Sequence, residues 1–325
     1  MRLIPELPIE LLKHAYQFLA GSKEVRSMMR KHYFDSSVKS VNLDEILVSN
    51  HNHSCDGKKQ KIWQILHEAA ERGCRITAIT DHNSDAEFNK QIGNVPVFVW
   101  YHNKKAHYAM RGMELNCLVG NHDNEKVKDI MVIGYRDSLR SRLPLDETIL
   151  RARHQGALIG ITSPLNEPFF GLNEEQMEKL LIGRKVDYVE IFNASKGSPF
   201  FHSDVLAALM LKEYNAYAQE GRKIAGIYVP DSHIKEHCMG AFFGVKKADF
   251  GFLEDPDKVK RNPELLIEGL RTAFRNNAVT NYGEYKHFTR LLFNKDVLES
   301  FANQTLATWN DYFHGRFSKD RARTH

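Results

Sequence analysis

Residues 45–57 read EILVSNHNHSCDG. Ile46, Leu47 and Val48 form a short apolar run that ends in polar residues, the pattern of a buried strand meeting a loop. In a strand, side chains at i and i+2 point to the same side. His51 and His53 are therefore expected to project together, with Asn52 turned away. Two adjacent imidazoles each offer a nitrogen lone pair, which suits a divalent transition metal. The chain holds 16 histidines among 325 residues, so one such pair also arises by chance. The neighbouring segments decide between the two readings.

Outward from this stretch, strand-like and helix-like runs alternate. A helix is expected around 59–73, a strand over 74–80 (CRITAIT), and two strands over 95–102 and 108–119 that suit a hairpin. Further strands are expected over 129–135, 157–162, 186–192, 223–229 and 240–247. Helices are expected near 145–155 and over 173–182, 203–221 and 262–277. Alternation of this kind argues for a parallel, wound α/β fold, and seven or eight such units close a barrel. No Pro/Gly/Ser-rich linker, internal repeat or low-complexity tract divides residues 45–285. Residues 1–44 read as an N-terminal helical extension, with its apolar stripe between 9 and 34, and 286–325 as a helical tail ending in the basic GRFSKDRARTH.

Composition narrows the function classes. Hydrophobic residues are 42% and charged residues 26% of the chain, an ordinary globular balance. The net charge of +4 is mild; it tolerates an anionic substrate without demanding nucleic acid. The four cysteines, Cys55, Cys74, Cys117 and Cys238, show no CxxC spacing and read as reduced thiols of a cytoplasmic protein. No stretch approaches the roughly 20 apolar residues of a membrane span, and the first residues lack the apolar segment of a signal peptide.

The ends of the expected strands carry the chemistry. After the first come His51 and His53; after CRITAIT come Asp81 and His82; MRGMEL carries Glu114; DYVEIF carries Glu190 and leads to Asn193; AGIYVP leads to Asp231 and His233. In α/β barrels, side chains from separate strands converge at that rim. His, Asp and Glu are ligands for zinc, manganese or iron. Each pair alone also reads as a turn or a helix cap, but five such coincidences at one kind of position do not.

HNHSCDG, ITDHN, GMELN, VEIFNAS and PDSH stand in the order and spacing of the PHP (polymerase and histidinol phosphatase) family, which the chain resembles from about 46 to 283. The closing NPELLIEGLRTAFRNNAVTNYG is similar to that family's ending. The resemblance implies a distorted seven-stranded (β/α) barrel, here with extra terminal helices, holding divalent ions for phosphoester hydrolysis. It places His51, His53, Glu114 and Asp231 on one metal, with Glu114 bridging. His82 and His233 match a second site, and Asp56 matches the aspartate that joins them. Asp81 either binds metal or fixes the neighbouring imidazole. Asp81, His82 and His233 are the candidate catalytic groups, the two histidines as proton donors to the leaving group. Asp129 and Ser163 stand where the family carries histidines of a further metal site, so one or two divalent ions (Zn, Mn or Fe) are expected. The segment between His53 and Asp56 is shorter than usual for the family.

Three functions follow from this reading. The first is a metal-dependent phosphoesterase acting on a nucleotide, an oligonucleotide or a small phosphate ester. The second is an amide or carbamate hydrolase on the same fold. The third is a degenerate barrel that serves as a binding or scaffold module. Lys58, Lys59, Arg111, Arg136 and Lys196 could meet a phosphate, but each also reads as an ordinary solvated charge.

Overall fold

A computed structural model describes residues 42–54, 61–120, 126–165, 171–194, 201–219, 221–232 and 240–283. The helical segments expected before residue 42 and after residue 285 lie outside the described residues, as do Asp56 and His233.

The chain runs β1 (Glu45–Ser49), α1 (Ile62–Glu71), β2 (Cys74–Ile79), α2 (Ala86–Gln91), β3 (Val97–His102), β4 (Lys105–Val119), β5 (Lys126–Ile133), α3 (Leu145–His154), β6 (Leu158–Ile161), α4 (Glu174–Ile182), β7 (Tyr188–Asn193), α5 (Phe201–Tyr217), β8 (Ala225–Val229) and β9 (Ala241–Lys246). A 3₁₀ segment (Lys247–Glu254), α6 (Pro256–Arg261), α7 (Glu264–Arg275) and β10 (Val279–Gly283) complete it. The strands form one sheet in the order β10-β9-β1-β2-β4-β5-β6-β7-β8, with β3 on β4.

This sheet curls into a nearly closed barrel. At one end of the seam, Asn52 beyond β1 bridges in parallel to Ser232 beyond β8. The His53 amide donates to the Ser232 carbonyl at 2.9 Å, and the Ser232 amide donates to the His51 carbonyl at 3.3 Å. Further along, Asn281 of β10 accepts from the Tyr228 amide at 2.9 Å and donates to the Gly226 carbonyl at 2.8 Å. One side-chain amide thus replaces two ladder bonds between β8 and β10.

The expected architecture is present, with two corrections. The sheet has ten strands instead of seven, and it is mixed instead of parallel. β1/β2, β2/β4, β6/β7 and β7/β8 pair in parallel, whereas β3/β4, β4/β5, β5/β6, β1/β9 and β9/β10 are antiparallel. A parallel neighbour needs a crossover of a dozen or more residues, usually a helix. β3 and β4 form the hairpin that their spacing suits, joined by Asn103 and Lys104 alone at φ 48° and 62°. Two successive positive φ values are the signature of a tight I′ hairpin turn.

Strand alternation sorts the core. Ile46 and Val48 join Ile76, Ala78, Tyr108, Met110, Tyr188, Ile227 and Phe243 in one buried cluster. Leu47, between them, packs on the other side with Ala69 of α1 and Cys74. Gly160 of β6 has no side chain because the Tyr188 ring occupies the space a Cβ needs. Helix α1 buries Ile62, Ile65, Leu66, Ala69 and Ala70, a single stripe at helical spacing. These layers hold the strand ends, and with them the polar residues of the next section.

Candidate metal centre

The loop after β1 is pinned before its histidines are placed. The Asn52 carbonyl accepts from the Thr80 amide at 2.8 Å, and the Asn52 side chain turns to the Ala78 carbonyl at 2.9 Å. His51 and His53 point the other way and are fully buried. Their Nε2 atoms lie 2.8 Å apart. Glu114 Oε2, from the middle of β4, stands 3.3 Å from His51 Nε2 and 3.5 Å from His53 Nε2. Asp231 Oδ1, after β8, stands 3.4 Å and 3.3 Å from the same two nitrogens. His82 Nδ1 reaches Glu114 Oε2 at 3.3 Å, and its ring stacks on His53 with centroids 4.5 Å apart.

Three of these groups, His51, Glu114 and Asp231, have their outward atoms held. Glu190 Oε1 accepts from His51 Nδ1 at 2.9 Å, which places the proton there and turns the Nε2 lone pair inward. Thr162 Oγ1 donates to Glu114 Oε1 at 2.9 Å. Asn193 Nδ2 donates to Asp231 Oδ2 at 2.7 Å. Asp231 and Ser163 sit at φ 45° and 42°, left-handed conformations that cost non-glycine residues energy and concentrate at functional sites.

The charges are coupled. Burial alone disfavours the ionised Glu114 carboxyl, but the His82 and His51 imidazoles outweigh it and hold the group well below the usual carboxylate range. Burial likewise disfavours the His51 cation, yet Glu190, Asp231 and Glu114 together push its pKa well up. Burial raises Glu190, with His51 opposing. Three carboxylates in so little space favour a compensating positive charge, from the imidazoles themselves or from a bound cation.

A divalent cation supplies such a charge, and the donors fit one. His51 Nε2, His53 Nε2 and Glu114 Oε2 all lie within 4.8 Å of one another. A triangle with their measured sides has a point about 1.9 Å from every corner, against zinc–ligand bonds of about 2.0–2.2 Å. Two imidazole nitrogens and a carboxylate oxygen suit zinc, manganese or iron.

The other expected residues are placed as follows. Asp81 turns its carboxylate to Ser54, whose hydroxyl donates to Oδ2 at 2.6 Å. Asp129 is buried and accepts from the Asn116 side chain, which in turn accepts from Asn83 beside His82. Burial first, and the Glu114 charge second, push the Asp129 carboxyl up to about 8. The Ser163 amide donates to Glu190 Oε2 at 3.4 Å. Arg111 is buried, paired with Asp85 and stacked on the Tyr135 ring; it is part of the scaffold and not a phosphate contact. Arg136 pairs with Glu264. Lys58, Lys59 and Lys196 lie outside the described residues, as do Cys55 and Cys238. Cys74 and Cys117 are buried free thiols. Thr162 escaped the sequence reading, and Glu190 and Asn193 received no role there. Thr162 directly follows β6, and a rule that admits neutral donors at that rim would have found it.

No protein-family model and no curated protein matches the chain. Solved structures do. A two-domain protein from Bacteroides vulgatus containing a predicted PHP-like metal-dependent phosphoesterase is 14% identical, over 82% of this chain and 73% of its own, with a TM-score of 0.47. PsfC from Pseudomonas syringae is 13% identical over 63% and 83%, with a TM-score of 0.44. The lesion-specific endonuclease PfuEndoQ from Pyrococcus furiosus is 15% identical over 71% and 56%, with a TM-score of 0.45. No helix among the described residues is long and apolar enough to cross a membrane.

Proposed function

We propose that the protein is a metal-dependent phosphoesterase. His51, His53, Glu114 and Asp231 hold a divalent ion of the zinc, manganese or iron type. His82 stands at the edge, and Asp56 and His233 are the further ligands that the sequence motifs supply for a second ion. The observation that carries this reading is the meeting of His51 Nε2, His53 Nε2 and Glu114 Oε2 at one point, with His51 and Glu114 held from behind by Glu190 and Thr162.

When bound, such an ion acidifies water and stabilises the negative charge that builds on a phosphoester during cleavage. The protein's own groups supply the rest. Glu190, Thr162 and Asn193 keep the ligand atoms aimed inward, so little reorganisation is needed when an ion arrives. His82 is 30% exposed while His51 and His53 are not, so it is the imidazole that meets substrate. With Nδ1 on Glu114, its Nε2 delivers a proton to the leaving oxygen. The substrate class is a phosphorylated small molecule or a nucleic-acid phosphodiester.

The test is direct. Protein stripped by chelator and reloaded with manganese or zinc should hold one or two equivalents that depend on His51 and release p-nitrophenol from mono- or diester substrates. A panel of amide and carbamate substrates run beside it should give nothing. Protein that binds ions yet cleaves only the carbonyl substrates replaces this reading with an amidohydrolase; protein that binds no ion ends both.

A further inference from the structure

Three histidines gather away from the strand-end centre. His67 leaves α1, His102 ends β3 and His107 lies on β4, and all three pack around Trp100 with ring centroids 5.2, 6.0 and 5.1 Å away. His107 Nδ1 is occupied by the Cys74 carbonyl at 2.9 Å. His67 and His102 differ: their Nδ1 atoms face each other at 3.2 Å.

The protons on His102 follow from its neighbours. Its Nε2 lies 2.8 Å from Glu71 Oε1 and 3.0 Å from the Asn103 side-chain amide. A carboxylate only accepts, so Nε2 carries the hydrogen; the Asn103 Nδ2 that stands 3.0 Å away is itself a donor, so this tautomer has the amide turned to bring Oδ1 there instead. His102 Nδ1 is then a bare lone pair aimed at His67. One hydrogen on His67 Nδ1 fills the gap in the simplest case. In its other tautomer His67 also offers a lone pair, and the two nitrogens then bracket a point between α1 and β3.

We propose that His67 and His102 form a second, surface cation site for a borderline divalent ion such as zinc, with Glu71 orienting His102. The spacing suits this: two bonds of about 2.0–2.1 Å spanning 3.2 Å meet at about 100°, close to a tetrahedral angle. The carboxylate behind His102 is the usual partner of a ligating imidazole. The two ligands ride on independently fixed elements. α1 is anchored by buried Ile65, Leu66 and Ala69, and β3 is anchored by its register with β4, where His102 opposes Lys105 and Trp100 opposes His107. His67 is exposed, so water completes the coordination. None of these residues belongs to the strand-end centre, and the inference stands whether or not the protein is a hydrolase.

The experiment is a zinc titration of the full-length, chelator-stripped chain against a chromophoric competitor. Wild-type protein should bind one zinc equivalent more than His67→Gln or His102→Gln, with an unchanged circular dichroism spectrum. His51→Ala should lose a different, tighter equivalent, which separates the two sites. Glu71 is 65% exposed, so Glu71→Gln does not threaten the fold; it should weaken the extra equivalent about 10-fold. Equal stoichiometry in wild type and both histidine variants overturns the site, and unchanged affinity in Glu71→Gln overturns the orienting role.

Discussion

Glu190 Oε1 lies 2.9 Å from His51 Nδ1, with both side chains about 1% exposed. A buried carboxylate in that position decides which imidazole nitrogen is free. Replacing Glu190 by Gln keeps the size and an acceptor oxygen but removes the charge. On the metal reading, Glu190→Gln should weaken divalent-ion affinity about 10–100-fold. Competition titration with a chelating dye measures this, and an affinity equal to wild type would remove His51 from the ligand set.

The ligands themselves should respond more severely than their supports. His51→Ala, His53→Ala and Glu114→Ala each remove a donor from the three-atom cluster. Each should lower bound ion and phosphoester cleavage together, by at least about 100-fold in turnover. Asn193→Ala leaves Asp231 in place without its amide donor, and a loss near the lower end of the roughly 10–100-fold range for outer partners is expected. Elemental analysis alongside initial rates separates the two classes. A His53→Ala protein with full turnover would leave the phosphoesterase reading without a basis.

Much of this centre is visible in the one-dimensional pattern, because strand geometry is local. The two-residue repeat of His51 and His53 survives folding unchanged, and so does the placing of Asp81, His82 and Asp231 just beyond β2 and β8. Helix α1 is legible for the same reason, since its apolar residues recur at helical spacing. Pairing direction is not local. A strand reads alike whether its neighbour is parallel or antiparallel, so the alternation predicts a parallel fold overall and does not reveal the antiparallel β4/β5/β6 run. β4 begins at Lys105, earlier than expected, because Lys105 and His107 look polar until paired with His102 and Trp100. β10 was missed because VTNYG is short and rich in turn formers, and Asn281 gains its role only beside β8. Thr162 carries no titratable group, so nothing marked it until Glu114 came within reach.

The Arg111–Asp85 pair should dominate the stability of this end of the barrel. Arg111 is 1% exposed; its guanidinium donates to Asp85 and Ser138, and the Tyr135 hydroxyl also donates to Asp85 at 3.1 Å. Arg111→Met leaves a buried carboxylate without its cation, and such losses cost about 3–5 kcal/mol. Removing both charges, as in Arg111→Met with Asp85→Leu, should cost less than the single change, because no charge is then stranded. Urea denaturation of the two variants gives the comparison. A double variant that is less stable than Arg111→Met would mean that the pair stabilises by more than avoiding an unpaired charge.

His107 should make the fold acid-sensitive before the carboxylates titrate. It is buried, and burial holds its pKa below the ordinary 6.5 against the pull of the Cys74 carbonyl. In the unfolded chain the same imidazole takes a proton near 6.5, while the folded one resists until lower pH. Between those two values the unfolded state binds more protons, so stability falls as the pH is lowered through that window and is unaffected above it. His107→Gln retains an amide to donate to the Cys74 carbonyl and has nothing to titrate. Thermal midpoints measured from about pH 7.5 to about pH 5.5, with the strand-end ion removed in both proteins, should therefore fall less steeply for His107→Gln than for wild type. Parallel slopes would show that this imidazole takes up its proton equally in both states and lies outside the barrel's acid response.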